Sequence, residues 1–282
     1  MDNLSKRAVL VSLEINHWSG RCVDKKVSDE VLTSNNADSD SGSFSKRLIA
    51  KEYLSEISKI NNEARKYFKE NTMAWESGKR RLLPSKKITE FTDFMRNLED
   101  KHAEACQVFV DNYNTYMNDA QAFLNGLYNP ADYPPQDEIA EKFGLKYEFT
   151  NIDSPNDFRC EVSEEVKNEI QERMKASLEK KFNGSMQNLY KKIYELLRKF
   201  GDRLSNEDAQ FKKGLFENIE DLVRILPNMN IMDDPKLAEI TERIQNDICR
   251  FDVEQLRHDK VARKEAVQAS QSIIETMGEL YA

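Results

Sequence analysis

The chain has 282 residues, enough for one large domain or two smaller ones, and 33% of them are charged against only 9 Gly and 7 Pro. That composition lacks the turn formers of a β-sandwich or a compact α/β enzyme and suits long solvated helices. A formal net charge of −8 excludes a surface that coats nucleic acid throughout, because phosphate binding needs a continuous basic face; the basic excess is confined to residues 1–90, with 17 Lys or Arg against 13 Asp or Glu.

In chain order, Lys6 and Arg7 precede Ala8-Val-Leu-Val-Ser-Leu-Glu-Ile15. Ser12 and Glu14 interrupt the apolar character a secretory leader needs, so the expectation is a cytoplasmic protein. The alternation of Val9, Val11, Leu13 and Ile15 predicts a half-buried strand, with Lys146–Ile152 as its partner. Next comes His17-Trp18-Ser19-Gly20-Arg21. Trp18 could anchor a partner or stack on a base and Arg21 could bind phosphate or carboxylate, or else Ser-Gly makes a turn and Trp18 plugs the core edge. Residues 1–33 therefore read as a strand and turn packed on a helical body, and residues 34–45, rich in Ser, Asp and Asn, as a flexible polar loop.

Helical spacing of Ile49, Tyr53, Ile57, Ile60, Ala64, Tyr67 and Trp75 predicts one helix over 46–77, ended by Gly78. The basic run Lys79, Arg80, Arg81, Lys86 and Lys87 then reads as a helix-to-helix turn, with Ser85 capping the next helix. From Ile88 to Leu127 the apolar positions recur about every 3.5 residues, the coiled-coil repeat. Three prolines in Pro130–Pro135 break that helix and open an insert at 128–160. A long helix over 161–203 has a stripe spaced by four residues, which drifts around its axis. A shorter helix spans 206–226, with Phe211 facing in. Asp234 and Pro235 then start a last helix, whose stripe thins between Asp252 and Ser272 as if loosely packed, protruding or meeting another copy. Residues 46–282 form the helical body. The expected fold is mainly α, an elongated helical bundle with coiled-coil-like long helices and a small two-stranded β-element.

No phosphate-loop, dinucleotide, nucleophile-elbow or zinc-protease motif occurs, and there are three histidines, His17, His102 and His258. The expectation is no enzyme, cofactor, metal or small-molecule substrate. His102 with Cys106 is half of a metal site, so a core histidine is the expected reading. The four cysteines Cys22, Cys106, Cys160 and Cys249 lie far apart and read as reduced thiols. Asp38–Gly42 has its glycine one position early for an EF-hand, and Ile49 stands where the bidentate Glu belongs. No run of about 18 apolar residues occurs, so no membrane span is expected.

The opening V-S-L-E-I-N-H-W-S-G-R, the Tyr128–Phe143 insert and the stretch from Phe211 to L-P-N-M-N-I-M-D-D-P resemble a family of uncharacterised proteins found mainly in bacteriophages and prophages. The resemblance spans residues 9 to about 250. It implies a phage-related cytoplasmic protein, in some phages encoded near chaperone-like AAA+ ATPases. The leading expectation is a binding or scaffolding protein acting through helical contacts with a protein partner or with itself as a homo-oligomer. The alternatives are a DNA-associated protein using the basic 79–87 run with Trp18 and Arg21, and an adaptor of an AAA+ ATPase.

Overall fold

A computed structural model describes residues 3–76, 79–206 and 213–278. The fold is mainly helical with a small antiparallel sheet. Its elements are α1 (Leu4–Arg7), β1 (Ala8–Asn16), β2 (Arg21–Val23), α2 (Lys25–Ser34), β3 (Ser45–Arg47), α3 (Ser55–Asn71), β4 (Met73–Ala74), β5 (Arg80–Pro84), α4 (Ile88–Asp111), α5 (Tyr113–Leu124), α6 (Gln136–Ile139) and β6 (Gly144–Thr150). The C-terminal half is α7 (Glu164–Ser205), α8 (Lys213–Met229), α9 (Pro235–Arg243), α10 (Val253–His258) and α11 (Lys260–Gly278). The chain divides into two compact units, one of residues 1–12, 67–91 and 148–282, the other of 13–66 and 92–147.

In the first unit, β1 pairs antiparallel with β5 from Ala8↔Pro84 to Ser12↔Arg80, and β4 pairs with β5 at Met73↔Leu82. The four-stranded sheet has the order β4-β5-β1-β6. The predicted strand and its β6 neighbour are present, but the small two-stranded element is larger than expected, and the basic turn is a strand. Leu82, Leu83 and Pro84 are buried there, so this short apolar run takes a place in the core in spite of the cations around it. Trp75, assigned to a helix by its spacing, follows β4 as a core side chain at 4% exposure. The predicted helix over 46–77 is thus shorter, α3 alone. Its first residues are spent on β3, and its expected end at Gly78 lies outside the described residues. Ser85 lies in a 3-10 turn and caps nothing.

The long helix α7 meets its expectation, opened by Ser163 accepting from the Val166 N–H. Its buried side chains run from Leu178 to Leu204; none of Glu164–Ser177 is buried. Val162 and Val166 stand 42% and 43% exposed in line with half-buried Ile170 and Met174. The last two border a groove of about 450 Å³ floored by Leu10, Trp75 and Ile152.

The predicted last helix is three. A capping box, in which Asp252 accepts from the Gln255 N–H and Gln255 from the Asp252 N–H, starts α10. Asp259 ends it, and α11 then packs along α7. The stretch expected to be loose is packed, with Leu256, Ala266 and Ser270 fully buried, and the stripe continues in buried Ile273 and Met277. Small residues let the two helices approach: a Cβ on Gly201 would lie 2.8 Å from Ser270 Oγ. Arg263 closes the far end, donating to the Leu204 and Asn206 carbonyls at 2.9 Å each. Replacing Gly201 by Leu should therefore cost about 1–3 kcal/mol by overpacking, read as a lower urea midpoint at unchanged slope. An unchanged midpoint would show that α11 is free to move off α7.

Asp234 does cap α9, accepting from the Lys236 N–H, with Pro235 in the first turn. α8 runs on through Pro227 to Met229, three residues past its expected end; Phe211 lies outside the described residues.

In the second unit the helix expected over 88–127 is divided at Asn112, which leaves helical geometry (φ −98°, ψ 2°) while its side chain donates to the Val108 carbonyl. Phe109, Tyr113, Ala120 and Leu124 pack with Leu48, Ile49, Ile57, Tyr133 and Ile139. Tyr133 donates to the Leu48 carbonyl at 2.6 Å and Tyr113 to that of Pro134 at 3.0 Å, so the proline-rich insert is tied down by phenols. Burial pushes both phenols up to about 12. α2, which no apolar periodicity announces, is capped by Asp24.

Candidate binding site

The W-S-G-R turn joins β1 to β2 inside the second unit. Gly20 is buried with φ +62°, and its carbonyl accepts from the Leu48 N–H at 2.7 Å. Only glycine enters this backbone region freely. Trp18 lies 6.1 Å from the Phe109 ring and 5.9 Å from that of Tyr113, edge-on to the latter. It is half-buried against the core, the plug of the two readings offered for it. His17 packs edge-on to Phe143, with Nδ1 3.5 Å from the Asn61 amide nitrogen. Burial first, and Arg65 second, lower its titration below the usual histidine value.

β2 and β3 form a two-stranded sheet in which Arg21 stands opposite Arg47 and Cys22 opposite Lys46. The two faces differ. On the inner one the Lys46 side chain is 4% exposed, its Nζ 2.7 Å from Asp24, 2.8 Å from Asp132 and 2.8 Å from the Leu127 carbonyl. Burial works against the ammonium, but Asp132 and Asp24 outweigh it and hold the group above the ordinary lysine value. On the other face the two guanidinium-bearing residues sit opposite each other, which by itself is unfavourable.

Beside Arg47 opens a cavity of about 460 Å³ lined by His17, Ser19, Arg47, Lys51, Ser55, Ser58, Lys59 and Asn62, with Ile49 and Leu54 at its base. No carboxylate is among its lining residues. Of the site residues named from sequence, none lines this cavity, although Trp18 stands between His17 and Ser19 in the chain and Arg21 stands opposite Arg47 on the ladder; Arg47, Lys51 and Lys59 were missed, because a helical reading of 46–77 leaves them on a solvated face with nothing beside it.

The basic run lies in the first unit and is divided by its own strand. Arg81 donates through Nε to Thr72 Oγ1 at 2.6 Å and through Nη2 to the Thr72 carbonyl at 2.7 Å, over the Phe68 ring. It is a structural cation. Lys87 pairs with Glu90 at 2.6 Å. Lys79, Arg80 and Lys86 remain exposed, so the five cations do not form one basic loop.

His102 is buried at 4% exposure with Cys106 Sγ 3.6 Å from Nδ1. Burial holds the histidine below its usual value and pushes the thiol up to about 11, which leaves neither charged at neutral pH. Among the described residues no group of three or more His, Cys, Asp or Glu could hold a metal ion, and no helix is long and apolar enough to cross a membrane.

No curated protein matches the chain, and no solved structure does. Residues 5–246, nearly the whole chain and both compact units, match the family described as Protein of unknown function (DUF3150), and the chain belongs to that family.

Proposed function

We propose that this is a non-enzymatic binding or scaffolding protein that acts through helical protein–protein contacts, and that it self-associates through the open first third of α7. The observation that carries the reading is the stripe of Val166, Ile170 and Met174 on a helix that buries no side chain before Leu178, with exposed Val162 just ahead of its N-cap. The same patch on two copies is self-complementary under a two-fold axis, and pairing covers it with coiled-coil-like contacts. The bundle-like pairing of the long helices, a phage setting and work inside a cell belong to the same reading, the last two resting on the W-S-G-R and N-M-N-I resemblance.

Light scattering across a hundredfold range of concentration tests it. The wild type should move from monomer to dimer mass. Val166→Lys should raise the dissociation constant about a hundredfold, since two Val side chains are lost per dimer at about 1.5 kcal/mol each. A monomer mass at every concentration sinks the proposal. A DNA-associated protein is the alternative, but its contacts in the basic run reduce to Lys79, Arg80 and Lys86.

A further inference from the structure

We infer that the cavity beside the W-S-G-R turn is a binding site for a phosphate group, presented by a small phosphorylated molecule or as free phosphate. Three observations meet there. The first is composition: Arg47, Lys51 and Lys59 supply cationic donors, Ser19, Ser55 and Ser58 supply hydroxyls, and His17 and Asn62 complete a wall with no carboxylate in it. Of the three cations, Lys59 is shared with an acid, Glu56 at 3.2 Å, and that pair is exposed. The second is register. Arg21 stands directly opposite Arg47 on a three-residue ladder, a like-charge pairing that an anion bound beside Arg47 would offset. The third is local backbone: Gly20 at φ +62° packs against Ile49 and Leu54, the base of the cavity, so the turn places Ser19 in its wall.

The surroundings decide what kind of anion. The second unit, residues 13–66 and 92–147, carries 13 Lys or Arg against 19 Asp or Glu. A polyanion meets net repulsion outside the cavity, whereas a compact oxyanion meets only the cations inside it. Trp18 is turned into the core against Phe109 and Tyr113, and no Phe, Tyr or Trp ring lines the cavity, so there is no platform for a base. A single phosphate, with oxygens that match Arg forks and serine hydroxyls, fits the donors and the space.

The test is calorimetric titration of the full chain at low salt with inorganic phosphate, with glycerol 3-phosphate, and with a single-stranded oligonucleotide carrying no terminal phosphate. Both phosphate compounds should bind one to one and raise the melting temperature. Tighter binding of glycerol 3-phosphate than of inorganic phosphate assigns the site to a phosphorylated small molecule, and equal binding assigns it to the free ion. Arg47→Gln with Lys51→Gln should weaken both by about tenfold or more, as loss of two charge-assisted donors requires. Arg21→Gln should weaken them less and, without phosphate, should melt no lower than wild type, because a like-charge pair is gone. The ligand-free melting curve of each variant shows that it folds. Absence of heat and of any thermal shift with both compounds at about ten times the usual metabolite range, roughly 10 mM, overturns the inference. So does wild-type affinity in the double variant, or oligonucleotide binding that phosphate does not compete away.

Discussion

Lys46→Met should lower the stability of the second unit by about 3–5 kcal/mol, the usual loss when one partner of a buried ion pair is removed. Nothing about Lys46 as a surface residue explains such a cost. Its ammonium donates to Asp24 and to the Leu127 carbonyl and pairs with Asp132, so it joins β3 to the N-cap of α2 and to the proline-rich insert. Methionine keeps the length of the apolar stem and leaves two carboxylates without their shared cation. Thermal unfolding should fall by roughly 10 °C for that loss. Adding Asp24→Asn and Asp132→Asn to the Lys46→Met variant should recover most of it, since Asn still caps a helix and the orphan charges are gone. A melting point within error of wild type for Lys46→Met would remove the triad from the stability of the fold.

The same triad fixes a pH dependence. The Lys46 hydrogen bond first, and the Val27 N–H second, hold the Asp24 carboxyl below its usual 3.8. A carboxylate whose pKa is depressed on folding contributes stability that is fully present above its unfolded pKa and is lost as pH falls through the folded value. The loss therefore begins near pH 4 and continues below it. Lys46 has the opposite sign. Burial pulls its ammonium down, but the two carboxylates raise it above 10.5, so it stabilises fully below that pH and loses its contribution only as pH rises through the folded value. Chemical denaturation between pH 5 and 2 should be steeper for wild type than for Lys46→Met. Parallel curves would show that Asp24 titrates the same way folded and unfolded.

Gly20→Ala should cost about 2–4 kcal/mol, from a methyl at positive φ together with overpacking. The Cβ would meet Ile49 Cγ1 and Leu54 Cδ1 at 3.1 Å each, so both buried side chains must shift towards the cavity they line. The turn would shift, taking Ser19 and Arg21 with it, and so any anion affinity of the neighbouring cavity should fall along with the melting temperature. A companion substitution, Gly42→Ala, meets nothing within 4 Å and should leave both unchanged. Equal stability of the two variants would mean that the W-S-G-R turn relaxes without strain.

Much of the secondary structure was legible because it is a local matter. The period of two in β1, the apolar spacing that gives α7, the proline break after α5 and the Asp-Pro start of α9 each follow from a few neighbouring residues, and each is found. The misses share one cause. Leu82-Leu83-Pro84 is too short to outweigh the cations around it until β1 is there to pair with, and the helical spacing that took in Trp75 gave way to the pairing of the preceding Met73 and Ala74 with β5. At Asn112, a side chain competing for the Val108 carbonyl interrupts a seam whose apolar period runs on unbroken. The thin stripe of α11 was read as loose because alanine and serine bury little area each; against Gly201 they are what close packing requires.

The candidate site divides in the same way. Trp18, Gly20 and Arg21 were noticed as a dense local string, and the need for glycine at that turn is a property of the string itself. The cavity is not. Arg47, Lys51 and Lys59 converge with His17 and Ser19 only because β3 pairs with β2 and α3 starts where it does, and the same pairing turns Lys46 inward to be neutralised by residues 22 and 86 positions away in the chain. Sequence alone determined a mainly helical chain with a glycine-dependent turn, since periodicity and backbone sterics act over a few residues. Which cations are buried among carboxylates and which line a cavity follows from the packing of distant segments, since the energy of a charge depends on what surrounds it in space.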